Sequence, residues 1–197
     1  MLRIKKASDT RRRKGAVALL RAACLLLGIY SSSLSSAHSE VFLAKDEALA
    51  LAFPEGAEIS ERTVVLSQEQ RSEIENRSQT TISSNLFHYF EGKRAGEVSG
   101  YAVIDSRIMR TSPAVFMVVF SPDRTVSKVV LLAFHEPSEY QPTEAWLHHL
   151  AGTIPLEDLT PGHGVPPIAG STLSTQGLSD GVRAARASID VVFEEKR

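Results

Sequence analysis

The clearest pattern in the chain is a central block in which apolar residues alternate with polar ones, flanked by segments with helical spacing. Residues 85–109 alternate around a glycine-bounded turn at 92–96, which predicts a β-hairpin. Residues 113–134 predict a second hairpin that turns at 121–125. The apolar runs on either side of the second turn are continuous, so we expect those two strands to be covered on both faces.

Helical patterns lie on both sides of this block. Residues 41–54 predict a short helix that Pro54 ends, and residues 57–66 predict a strand. A polar stretch that begins at Ser67 predicts a capped surface helix or a pair of short helices. Thr143 is placed to cap a further short helix.

The last helix is predicted from about Thr175, with Ser174 or Thr175 as its N-cap. One apolar stripe runs along it at helical spacing: Leu178, Val182, Ala185, Ile189 and Val192. Helices at both ends with strands between them predict an α+β fold, an antiparallel sheet with helices packed on it and a C-terminal helix. The length of 197 residues is that of one domain.

The first part of the chain has the pattern of a secretory signal. Residues 1–14 are basic, the following apolar run is interrupted by Arg21, and small residues precede Ala37, a suitable cleavage position. The run is short for a membrane-spanning helix of about 20 residues, although an uncleaved anchor and a twin-arginine route remain alternatives. We therefore expect residues 1–37 to be a signal peptide. The exported protein is expected in the periplasm, either free, membrane-associated or anchored through its N-terminus.

Charge and cysteine content exclude several functions for the exported part. Before Ala37 the chain carries eight basic residues and one acid, so the remainder has 14 basic and 22 acidic residues, a net charge of −8. Nucleic-acid binding depends on neutralising phosphates and is not expected of such a surface. The single cysteine, Cys24, precedes the cleavage position. Disulfides, thiol catalysis and cysteine-ligated metals are therefore excluded from a mature protein that begins there.

Residues 166–180 combine a glycine with several small hydroxyl residues just before the last helix. On physical grounds alone this stretch is either a glycine loop with a helix cap or an anion site. Gly170 permits close approach of a ligand to the backbone, and the N–H groups at a helix start attract phosphate. A neighbouring hydroxyl then adds a hydrogen bond or becomes esterified.

Residues 168–175 resemble the flavin-attachment motif of the FMN-binding domain family, which includes exported subunits of the Na+-pumping NADH:quinone reductase and of a related ferredoxin-oxidising membrane complex. Thr172 matches the threonine that is esterified to the FMN phosphate in that family, and Gly170 matches the motif glycine. Residues 100–137 and 145–152 are similar to the segments that precede the motif. The resemblance implies FMN as cofactor, bound by Ala169, Gly170, Ser171, Thr172, Leu173 and Ser174.

Three positions depart from the motif. Pro166 stands at the motif aspartate, Ala169 at the serine and Ser171 at the alanine. Because the aspartate belongs to what the flavin transferase recognises in the family, the sequence leaves open whether FMN is covalent or non-covalent. Ser171 also offers a second hydroxyl beside Thr172.

The resemblance implies an exported electron carrier or subunit rather than a stand-alone enzyme. Its implied partners are a membrane redox protein or complex and a flavin transferase. Residues 38–95 would form the N-terminal helix and strand part of the domain, and residues 96–197 the FMN-binding domain. Two alternatives remain: a periplasmic interaction or assembly module with the same fold and no flavin, and a hydrolase that uses Ser171 or Ser174.

The other candidate residues are expected to have structural roles more than chemical ones. Tyr140 and Trp146 either pack in the core, which is favoured, or contact the flavin ring. His148 and His149 are adjacent on a predicted helix and point about 100° apart, so they do not form a metal pair. His163 lies between two glycines and is interpreted as a loop residue rather than part of a flavin pocket.

Overall fold

The computed structural model describes residues 40–152 and 154–194, so the predicted signal peptide lies outside the described residues. Six strands form one antiparallel sheet in the order β1-β6-β5-β4-β3-β2. The strands are β1 (Glu40–Val41), β2 (Glu58–Val65), β3 (Leu86–Arg94), β4 (Glu97–Ile108), β5 (Pro113–Phe120) and β6 (Val126–Phe134). The helices are α1 (Lys45–Ala52), α2 (Gln68–Ser78), α3 (Glu144–Leu147) and α4 (Thr172–Glu194). The predicted α+β class is confirmed.

The sheet has helices on both faces and therefore two apolar cores. On one face α2, α3 and α4 cover the strands, and the apolar stripe predicted along α4 is buried there. On the other face α1 contributes Ala48 and Leu49 to a smaller core. Residues of β5 alternate between the two, since Phe116 belongs to the first core and Met117 to the second. The expectation that this apolar strand is covered on both faces is confirmed.

The long helix α4 crosses the sheet at very short range. A Cβ atom at Gly181 would overlap the ring of Phe116, and a Cβ atom at Gly177 would lie 2.6 Å from the sulfur of Met109. Both positions therefore exclude a side chain unless a neighbour moves. The crossing leaves the N-terminus of α4 beside the turn at 109–112, which joins β4 to β5.

Two predicted helix starts are confirmed by side-chain caps. The Ser67 hydroxyl accepts the N–H of Gln70 (3.2 Å), so α2 begins where the sequence predicted. The Thr143 hydroxyl accepts the N–H of Trp146 (3.2 Å) and begins α3 in the same way.

The turn of the first hairpin is shorter than the sequence predicts. The chain turns at Ala95 and Gly96, which both have positive φ angles (52° and 83°), and not over the whole of residues 92–96. Gly92 remains inside β3, where the ring of Phe53 occupies the space that a side chain would need. Glycine at this position reflects packing and not a turn.

The predicted start of the last helix is also wrong. Helix α4 begins at Thr172, three residues earlier than predicted, and Ser174 and Thr175 are buried within its first turn. Neither residue is therefore the N-cap. Although α4 has 23 residues, no helix among residues 40–152 and 154–194 is both long and apolar enough to cross a membrane.

We predict that Gly181→Ala lowers the free energy of unfolding by about 1–3 kcal/mol, because the added methyl group overpacks a fully buried ring. Gly177→Ala is the matched control in the same helix. Met109 is flexible there, and a gain in helix propensity of about 1 kcal/mol offsets its displacement. Urea denaturation followed by circular dichroism measures both changes. A Gly181→Ala protein as stable as the unmodified chain would contradict the close crossing.

Candidate functional site

The candidate site is formed at the N-terminus of α4 by a loop that Thr175 holds in place. The Thr175 hydroxyl accepts the N–H of Ile168 (3.0 Å) and donates to the carbonyl of Ser171 (3.1 Å). Gly170 has a positive φ of 74°, which glycine adopts readily, and it turns the chain into the helix. The residue predicted as a cap therefore orders the loop from inside the helix.

The predicted site residues differ in exposure. Ser171 is buried, and its hydroxyl donates to the carbonyl of Tyr140 (3.0 Å). Ser174 is also buried, whereas Thr172, at the first position of α4, is exposed together with its neighbour Leu173. Of these three hydroxyl-bearing residues, Thr172 is therefore the exposed one.

A cavity of about 220 Å³ lies beside this exposed hydroxyl. Five predicted site residues line it: Gly170, Ser171, Thr172, Leu173 and Ser174. Ala169 was also predicted, but it is exposed and does not belong to the lining. Tyr140, Arg110 and Glu136 complete the wall. The sequence does not predict Arg110 and Glu136 as site residues, because they precede Thr172 by 62 and 36 residues and no local pattern indicates the contact.

Glu136 organises one wall of the cavity. Its carboxylate accepts the backbone N–H groups of Arg110 (3.0 Å), Thr111 (2.5 Å) and Ser112 (2.7 Å). Burial alone would raise the pKa of this carboxyl, but the three N–H groups and the Thr111 hydroxyl outweigh burial and hold the pKa below its ordinary value. Glu136 is therefore ionised at neutral pH, and the backbone N–H groups of residues 110–112 stabilise its negative charge.

Arg110 brings a positive charge to the same cavity. Its guanidinium carbon lies 5.8 Å from the centroid of the Tyr140 ring, and Nη1 lies 3.5 Å from the Tyr140 hydroxyl. Because the backbone N–H of Arg110 binds Glu136, the turn is fixed while the guanidinium remains exposed at the cavity. A cation, a helix N-terminus and an exposed hydroxyl together form the chemistry of an anion site.

The other residues singled out in the sequence have structural roles. Trp146 is buried in the core, as favoured, and its indole Nε1 donates to the carbonyl of Pro166 (2.7 Å), which fixes the loop before the motif. His163 is an exposed loop residue, as interpreted, and lies 2.9 Å from a carboxylate oxygen of Asp158. Among the described residues, no group of His, Cys, Asp or Glu side chains is arranged to hold a metal ion.

The cavity does not have the composition of a hydrolase site. A serine nucleophile needs a histidine or a similar base within hydrogen-bond reach. Ser171 and Ser174 are both buried, and the described residues that line this cavity include no histidine.

We predict that Glu136→Gln lowers the free energy of unfolding by about 1–3 kcal/mol at neutral pH, because a neutral amide oxygen accepts the three backbone N–H groups more weakly than a carboxylate does. Since the fold lowers the pKa of Glu136, its stabilising effect is present above the ordinary pKa of 4.5 and is lost as the pH falls through the folded value. The difference between the two proteins should therefore shrink in acid, as measured by denaturation at several pH values. Glu139→Gln, an exposed acid nearby, is the control. A difference that stays constant as the pH is lowered would contradict this role.

Comparison of the chain with protein-family models gave no match, and neither did comparison with curated proteins. The functional inference therefore depends on the residues of the site and on the sequence motif that they form.

Proposed function

We propose that this chain is an exported electron-transfer protein that carries FMN, with the flavin phosphate at the N-terminus of α4 and esterified to the Thr172 hydroxyl. One observation carries the proposal. Thr172, the exposed threonine of the motif, is also the first residue of a 23-residue helix. It lies beside a cavity that Arg110 also lines. The proposed partners are a membrane redox protein or complex and a flavin transferase. The signal-like residues 1–37 support the periplasm as the compartment.

The charges around the cavity suit a phosphate. The first N–H groups of a helix have no partner within the helix, and the helix dipole adds a positive potential at the same end. Arg110 adds a full positive charge. Glu136 would oppose an anion, but its carboxylate already accepts three N–H groups, so its negative charge is offset locally.

The size of the cavity suits the phosphate end of FMN better than the whole cofactor. A volume of about 220 Å³ is below the range of about 300–1,000 Å³ that is usual for small-molecule pockets. The flavin ring would then lie at the rim, where Leu173 is 53% exposed and Tyr140 lines the wall. FMN bound there supplies one- or two-electron transfer, and an accessible ring suits exchange with a partner.

The ester can form from a flavin dinucleotide donor. The Thr172 oxygen would bond to the phosphorus of the FMN half as the pyrophosphate bond breaks, and the nucleoside monophosphate would be the leaving group. The hydroxyl proton passes to a base of the transferase, and no electrons are gained or lost. Free FMN would have to expel water instead, which is unfavourable in aqueous solution. The chain contributes an accessible hydroxyl on a rigid helix start.

One observation favours the alternative of a periplasmic interaction or assembly module without flavin. Pro166 replaces the acid of the family motif, and in this fold it contributes its carbonyl to the indole of Trp146. If the transferase requires the acid, the chain would keep the fold and remain unmodified.

We predict that the chain, produced in the exported compartment of a host with a flavin transferase, carries the mass of one FMN less one water. Thr172→Ala should abolish this adduct. Ser171→Ala is the matched control and should keep it, because the Ser171 hydroxyl is buried and bonded to Tyr140. Intact mass and flavin absorbance measure the outcome.

Two results would contradict the proposal in different ways. Colourless, unmodified protein from that host would favour the module without flavin. An adduct that survives Thr172→Ala and disappears in Ser171→Ala would move the ester to the neighbouring hydroxyl.

A further inference from the structure

The strands β3 and β4 separate along part of their length. Their register ends at the pair Phe90 and Ala102, beyond which residues 86–88 pair with β2 and residues 103–108 pair with β5. A cleft of about 540 Å³ lies between the two strands, and α4 forms its floor. This volume lies within the range of about 300–1,000 Å³ that is usual for binding sites.

Backbone groups of both strands face this cleft. The Ser106 N–H donates to the carboxylate of its neighbour Asp105 (2.8 Å), and the Leu86 N–H donates to the Ser84 hydroxyl (3.0 Å). Each of these N–H groups thus donates to a nearby side chain and not to the carbonyl of a neighbouring strand. Alternate residues of an antiparallel strand direct their backbone groups to the same side. The residues two places before and after Ser106 therefore present theirs to the cleft as well.

Helix α2 holds the rim of the cleft away from β4. The guanidinium of Arg71 donates to the carbonyl of Ile82 (2.8 Å), and the Ile82 N–H donates to the carboxylate of Glu75 (2.8 Å). Both backbone groups of Ile82 are bound to α2, so the loop before β3 cannot pair with β4 without breaking them. Within the described part of the chain, no strand fills the gap.

The side chains of the cleft favour an uncharged occupant. The carboxylate of Asp105 and the guanidinium of Arg107 are 2.8 Å apart, so the two charges of the lining neutralise each other. On the floor, Ala184 and Ala185 are small and leave room for apolar side chains of moderate size.

Large apolar side chains are exposed beside the cleft. Ile108 is 65% exposed, Leu86 is 45% exposed, and Val65, which pairs with Leu86, is 67% exposed. They are three of the six large apolar side chains that are exposed among the described residues, so exposure is concentrated here. A partner that covered them would remove apolar surface from water.

We propose that this cleft binds an extended, uncharged segment of a partner polypeptide, which enters as a further strand between β3 and β4. The backbone N–H and C=O groups of an extended peptide would pair with the two facing strand edges. They would replace the hydrogen bonds that Asp105 and Ser84 now make to the backbone of these strands. At about 3.3 Å per residue, six extended residues match the edge formed by residues 103–108. The site does not depend on the flavin.

The test is amide hydrogen exchange, measured by NMR on the full chain with and without the synthetic peptide acetyl-Val-Thr-Val-Ser-Val-Thr-amide. Saturating peptide should slow exchange at the amides of Ile104 and Ile108 by about tenfold or more, because both enter strand hydrogen bonds. The same peptide N-methylated at every residue should give much less protection at the same concentration, since it can donate a hydrogen bond to neither strand.

A variant of the chain tests the floor of the cleft. Ala184→Leu should weaken peptide binding by about tenfold or more, because it fills the space under the strand. Gln176→Leu, exposed on the same helix outside the cleft, should leave binding unchanged.

Several outcomes would overturn the proposal. One is no protection by the peptide, and another is equal protection by its N-methylated form. Protection in the chain alone at every concentration would mean that a segment of the chain fills the cleft. Protection that develops only at high concentration would assign the cleft to a second copy.

Discussion

The close crossing of α4 over the sheet is the constraint on which the rest of the structure depends. Gly181 lies against the buried ring of Phe116 and Gly177 lies against Met109, so the helix backbone meets the sheet without an intervening side chain of its own. A helix of 23 residues is about 34 Å long, so fixing its middle also fixes both ends. One end then lies at the turn after β4, and the other lies against α2.

That placement brings together groups that are distant in the sequence. The carboxylate of Glu136 binds the turn at 110–112 through three N–H groups, and this leaves the guanidinium of Arg110 beside the N-terminus of α4. The acid is matched by the turn, while the cation and the helix N–H groups remain available to a ligand. Thr175 orders the loop from within the helix, and Thr172 is left as the exposed hydroxyl. Glu136, the turn at 110–112, the loop before α4 and the helix itself therefore determine both the charge of the site and the exposure of Thr172.

The sequence predicts the sheet, the buried strands and the position of the motif at a helix start, because these features follow from local periodicity. It misplaces the start of α4 because Ser174 and Thr175 are typical cap residues, and their burial depends on the loop that precedes them. Arg110 and Glu136 could not be predicted, since their contact with the motif arises from the crossing of α4. The cleft between β3 and β4 was also missed. Alternating residues predict a fully paired hairpin, whereas the separation is maintained by contacts of α2 with Ile82.

The proposed function requires the flavin phosphate to be a diester at Thr172. Phosphorus-31 NMR of the purified chain, recorded from about pH 5 to pH 8, tests it most directly, because a phosphate monoester changes its ionisation with a second pKa of about 6 and a diester does not. We expect one protein-bound phosphorus resonance whose chemical shift is constant across this range. A resonance that titrates near pH 6 would contradict the ester, and the absence of any protein-bound phosphorus would contradict the flavin itself.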